Sequence, residues 1–113
     1  AQALAIKPDK HEALNNWGAT LGAQAKTKSG DMRHDLIRRA IEFLSQAETA
    51  GYKEVYYNLA CMHALGSDEE ATERYLLAAK EHGTLPDRAF IEDDPDFSEV
   101  RNQDWFVRFL DEL

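Results

Sequence analysis

Cysteine, proline and long apolar runs are all scarce in this chain. Cys61 is its one cysteine, which excludes an internal disulfide and fits a reducing compartment, so a cytoplasmic location is the expectation. The three prolines, beside frequent Ala, Leu and Glu, leave helix favoured over strand. No apolar run approaches the roughly 20 residues of a membrane span, so no membrane partner is expected. Positive charge is also short: 13 Lys and Arg face 21 Asp and Glu, a formal net charge of −8. Phosphate-binding surfaces work by clustered cations that release counterions, so nucleic acid is excluded as an expected partner. A glycine-rich phosphate loop, a Gly-x-Ser-x-Gly elbow and a basic-then-apolar leader are all missing. The chain opens Ala-Gln-Ala-Leu-Ala-Ile without Met, and is expected to be a piece of a longer protein.

What is present is ordinary in amount and uneven in placement. The 113 residues suit one domain with a modest core. From Thr84 to Leu113 there are nine acids and three bases. The stretch from Lys26 to Arg39 is basic, with Lys26, Lys28, Arg33, Arg38 and Arg39 against Asp31 and Asp35. Such a patch is either a solvated face or a contact for acid, from a partner or from the tail of a neighbouring copy.

Apolar spacing and punctuation predict a series of helices. Ala1 to Ile6 reads as a helix end, stopped by Lys7-Pro8, with Asp9 as the next cap. A helix at about 10–26 carries Leu14, Trp17, Gly18, Leu21 and Ala25 on one face. After a polar loop ending in Gly30, Asp31 caps a helix at about 32–49 with Ile37, Ala40, Ile41, Leu44 and Ala47 as its stripe. A third helix at about 53–65 places Tyr56, Leu59, Ala60 and His63 together. Ser67 or Asp68 caps a fourth at about 69–82, with Ala71, Tyr75, Ala78 and Ala79 inward. Thr84-Leu-Pro-Asp87 starts a short helix near 86–92, Asp93-Asp94-Pro95 breaks it, and a turn at 96–101 precedes a last helix at about 103–112. Trp105, Phe106, Phe109, Leu110 and Leu113 make one side of that helix apolar, which suits a cap on a helical stack.

One pattern occurs twice: a bulky residue and a small one on one helix, then small, large, small on the next. Trp17-Gly18 with Ala40, Leu44 and Ala47 is the first copy, and Leu59-Ala60 with Ala71, Tyr75 and Ala78 the second. Small residues let helix backbones approach and the large one fills the gap. With Leu14, Leu21, Tyr56 and His63, and with Ala3 and Pro8 as the end of an earlier copy, these positions resemble the tetratricopeptide repeat, a helix–turn–helix of about 34 residues. The phrases Lys7 to Gly18 and Tyr57 to Cys61 are similar to bacterial members, and Glu92 to Phe97 with Val100-Arg101 and Trp105-Phe106 resembles the ending of many bacterial repeat arrays. The first copy departs from the family. Gly18 to Ala40 is 22 residues against about 12 there, so longer helices or a longer loop are expected. The second copy lacks the closing proline, with Gly83 near its place.

The resemblance implies an all-α fold: an antiparallel helix-pair solenoid, a TPR-like superhelix with a C-terminal capping helix. A partial repeat at 1–8 and repeats at about 10–49 and 53–83 make up residues 1–83, and 84–113 form the cap. It further implies a protein–protein interaction module, a scaffold or adaptor that binds a peptide or protein in its concave groove without catalysis or cofactor. The alternatives are a regulatory or oligomerisation domain of a larger multidomain protein or enzyme, an enzyme in its own right, and self-association through Leu4 and Ile6 at a cut N-terminal edge.

Mapped by the resemblance, the groove is lined by Glu12, Asn15, Asn16 and Ala19, then Glu54, Tyr57, Asn58 and Cys61. The partner-binding set is Asn15, Asn16, Ala19, Tyr57, Asn58 and Cys61. Asn16 and Asn58 either hold a peptide backbone or carboxylate, or bond to a neighbouring helix or water. Family members that grip chaperone tails use Lys beside such Asn; no Lys stands at these positions, so an apolar or extended peptide fits better. His11, His34, His63 and His82 lack metal-ligand spacing, and Cys61 and His63 lie on different helix faces. Glu92 to Asp96 lacks the glycine and distal glutamate of a calcium loop, so metal is not expected there.

Overall fold

The computed structural model describes residues 10–113, and every regular element among them is helical. The expected helix end at 1–6, the stop at Pro8, the cap at Asp9 and the edge formed by Leu4 and Ile6 lie outside the described residues. The elements are α1 (Lys10–Ala25), α2 (Gly30–Thr49), α3 (Val55–Leu65), α4 (Glu69–Glu81), α5 (Arg88–Asp93), a 3-10 turn (Pro95–Phe97) and α6 (Asp104–Asp111).

The direction of each helix follows from which residues meet. Arg33 donates to the Ala25 carbonyl, Trp17 stacks on Phe43, and His11 lies against Tyr52. Numbers fall along α1 as they rise along α2, so the two are antiparallel. His63 meets Tyr75 and Tyr56 meets His82, so α3 and α4 are antiparallel too. Asn15 bonds Asn58, and Gly22 faces Met62, so α1 and α3 run the same way side by side. The 22-residue spacing from Gly18 to Ala40 is taken up by helix length. The first pair has 16 and 20 residues, the second 11 and 13.

The repeated small–large pattern sits at the seams. Gly18, Ala40, Leu44 and Ala47 are buried together, and a Cβ on Gly18 would come within 2.6 Å of Leu44 Cγ. Trp17 is the exception to its predicted stripe: it is 58% exposed. Each residue turns a helix by about 100°, so aiming Gly18 at α2 swings Trp17 off the seam, where it stacks on Phe43. Along α4 the buried set is Ala71, Thr72, Leu76 and Ala79, while Tyr75 and Ala78 are half-buried. The C-terminal segment joins this side of the molecule, where Trp105 Nε1 donates to Glu69 and Ser67 to Glu99, so the buried stripe of α4 is rotated toward Leu76.

The caps are partly as predicted. Asp68 accepts from the Ala71 N–H at 3.1 Å and starts α4. α2 instead begins one residue earlier than Asp31, with Ser29 at its cap position and no side-chain bond. Gly51 and Gly83 follow the ends of α2 and α4 with φ of +95° and +72°, a conformation glycine adopts without steric cost. One continuous core runs from Leu21 through Leu44, Leu59 and Leu76 to Ile91, Phe97, Phe106 and Leu110. No helix of the described residues is long and apolar enough to cross a membrane.

Candidate functional site

The tail folds back onto α3 and leaves a cleft between them. Asp94 caps the 3-10 turn by accepting from the Asp96 N–H at 3.0 Å, and Pro95 at the first turn position suits that start. This turn buries Phe97 completely and drives Asp96 inward with it. Phe97 meets Tyr57 edge-on at 5.7 Å, and Phe90 of α5 meets the same ring at 6.2 Å. The result is a cleft of about 630 Å³ between α3 on one side and α5 with the turn on the other.

Three polar links tie its floor. The Tyr57 hydroxyl donates to Asp94 Oδ2 at 2.5 Å, and the Cys61 thiol lies 3.9 Å from the same oxygen. Lys26, at the end of α1, reaches across to Asp96 Oδ1 at 2.6 Å, the one partner of that buried oxygen among the described residues. The basic stretch thus meets the acidic tail of its own chain through Lys26. Arg38 is spent locally on Asp35 and Glu42.

These contacts fix the protonation of the floor. Burial pushes the Cys61 thiol well up, and the carboxylates of Asp94 and Asp96 push it the same way. Burial likewise raises Tyr57, with Cys61 and the bond to Asp94 adding to it. Lys26 is raised chiefly by its bond to Asp96. At neutral pH the floor therefore holds a neutral thiol, a neutral phenol and an ammonium, so it offers no thiolate nucleophile. Cys61, Asp94 and Asp96 do bring one donor atom each within 4.8 Å of one another. Beside them the Lys26 ammonium pairs with Asp96, which partly offsets the negative charge of the trio.

Of the predicted partner-binding set, Tyr57, Asn58 and Cys61 line the cleft. Asn15 touches it only through Asn58, whose Nδ2 donates to Asn15 Oδ1 at 2.9 Å. Asn16 lies elsewhere, beside Trp17 and Thr20, and Ala19 is exposed on α1 outside the cleft. The opposite wall, with Asp87, Phe90, Asp93 and Asp94, is missing from the sequence-based set. Its visible signals in the sequence are the acidic run Glu92 to Asp96 and the large apolar Phe90 beside it. His63 stacks flat on Tyr75 at 5.4 Å with 8° between the planes, a packing role between α3 and α4.

No family model, curated protein or solved structure matches the chain.

Proposed function

We propose that the chain is a protein-interaction module of the helix-pair repeat type, binding an extended segment of a partner in the cleft beside α3. The observation that carries this reading is the cleft itself. At about 630 Å³, with Tyr57 and Phe90 as its apolar wall and carboxylates at its rim, it has the size and mixed lining of a ligand pocket. The parallel course of α1 and α3 supports the repeat reading, because stacked helix pairs place their first helices side by side along one groove. The floor lacks an activated nucleophile and holds its cation in an ion pair, which favours binding over chemistry.

A displayed library of random peptides tests the reading. Phe90 is 59% exposed, so Phe90→Ala removes cleft wall without opening the core. Selected ligands are expected to lose about fivefold or more in affinity on Phe90→Ala, and to be indifferent to Trp17→Ala at the exposed aromatic edge of α1. Ligands that ignore Phe90→Ala, or a library yielding none, would overturn it.

A further inference from the structure

The cleft's chemistry is one-sided. Its charged lining is Asp87, Asp93, Asp94 and Asp96 against Lys26. The Lys26 ammonium is bound to Asp96, so among the described residues no free cation remains at the wall. The other cations of the tail do not line the cleft, and Arg108 lies apart beside Leu77 and Trp105. Arg88 pairs with Glu92 and Asp111, and Arg101 donates to the Asp94 carbonyl at 2.7 Å and does not line the cleft. Asp87 and Asp93 are exposed and have no side-chain partner among the described residues; Asp87 caps α5 by position alone, without a side-chain bond. Asn58 gives one amide N–H to Asn15 and keeps its second N–H and its carbonyl oxygen, so it can accept as well as donate. Between these acceptors stands Phe90, more than half exposed and edge-on to Tyr57.

A wall rich in acceptors, poor in donors and lined by aromatic rings matches a cation on an apolar stem. The stem packs on the rings, the charge meets the carboxylates, and the ring face adds a cation–π attraction. Arginine fits best, because its planar fork can satisfy a carboxylate with two bonds while lying on a ring. We infer that the occupant of this cleft is an extended peptide segment carrying arginine between apolar residues, seated against Phe90 with its guanidinium toward Asp87 and Asp93. This rests on the proposed interaction function and specifies the partner's chemistry.

The probe is a blocked, fluorescein-labelled heptapeptide, Gly-Leu-Arg-Leu-Arg-Leu-Gly, beside the same peptide with citrulline for both arginines. Citrulline keeps the shape and removes the charge. Fluorescence anisotropy should find the arginine peptide binding at least about tenfold more tightly than its citrulline twin, with the difference shrinking as salt is raised. The double variant Asp87→Asn/Asp93→Asn should weaken the arginine peptide about three- to tenfold. Glu70→Gln/Glu81→Gln changes net charge equally at exposed sites on α4 and should leave binding within about twofold, which separates a local site from general attraction to an acidic protein. Equal weakening by both double variants overturns the inference. So does a citrulline peptide that binds as well as the arginine one; if its binding still falls on Phe90→Ala, the interaction reading survives. If neither peptide binds, the arginine inference falls, and the library selection decides separately whether the cleft binds any segment at all.

Discussion

Gly18 has no room for a methyl group. A Cβ there would sit 2.6 Å from Leu44 Cγ, 2.7 Å from Leu44 Cδ2 and 3.2 Å from the Ala40 carbonyl oxygen. Leu44 is fully buried and the carbonyl belongs to a helix backbone, so neither can retreat. Gly22 on the next turn is different. Its Cβ would meet only the tip of Met62, at 2.5 Å from the methyl and 2.6 Å from the sulfur, and that end can swing away. Replacing a helical glycine by alanine gains about 1 kcal/mol of helix propensity. Overpacking a rigid site costs about 1–3 kcal/mol. Gly18→Ala should therefore be destabilising by up to about 2 kcal/mol, while Gly22→Ala stays within about 0.5 kcal/mol of wild type or gains slightly. Thermal melts of the two variants check this; equal Tm values would show that Leu44 yields as easily as Met62. The sequence pattern of small against large residues made the Gly18 contact legible in advance. It did not reveal that Trp17 turns outward, because a bulky–small pair leaves open which member faces the seam.

At the scale of elements, His63 couples α3 to α4. Its ring lies flat on Tyr75, and Tyr75 in turn donates to Glu48 of α2 at 3.1 Å. Burial lowers the His63 pKa from 6.5, and Arg74 adds to the lowering; Asp68 at 3.8 Å and Glu48 oppose it without reversing it. The sign for stability follows. Below pH 6.5 the unfolded chain takes a proton that the folded seam resists, so stability is full above that pH and falls as pH drops toward the lower folded value. His63→Gln removes that titration. Urea midpoints measured from about pH 7 down to about pH 5 should fall more steeply for wild type than for His63→Gln. Parallel slopes would mean that the ring is protonated freely in the folded state. The helix limits themselves are legible because their signals are local: Gly30, Gly51, Asp68, Gly83 and Pro95 each act within a turn of their own position. The cleft is not legible by the same route. Tyr57 and Asp94 are 37 residues apart, and Cys61 and Asp94 are 33 apart. Nothing local in Glu92 to Asp96 says that its carboxylates turn inward against α3 rather than into solvent. That direction is set by Phe97, whose burial against Tyr57 and Phe106 carries the turn with it.

At the scale of the whole molecule, the question is whether the four long helices and residues 84–113 are one cooperative unit. The two tryptophans report from opposite ends. Trp17 stands on α1, stacked on Phe43 at 6.2 Å, and Trp105 begins α6, bonded to Glu69 at 2.6 Å and edge-on to Phe106 at 5.5 Å. Between them the core is continuous: Leu21 and Leu44 lead through Leu59 and Val55 to Phe97 and Phe106, the last two fully buried. A cap that merely shields an end would melt first and alone, as terminal repeats of an array can. A C-terminal segment that shares the core, buries Phe97 against α3 and ties Asp96 to Lys26 just past α1 should melt with it. Trp17→Phe leaves Trp105 as the single emitter, and Trp105→Phe leaves Trp17. In each variant the fluorescence midpoint in urea should coincide with that variant's own far-UV circular dichroism midpoint. If Trp105 reports a transition at lower urea than the helices, residues 84–113 are a separable lid. The cleft between that lid and α3 would then open before α1 to α4 unfold, because Phe90, Asp94 and Phe97 all leave α3 with it.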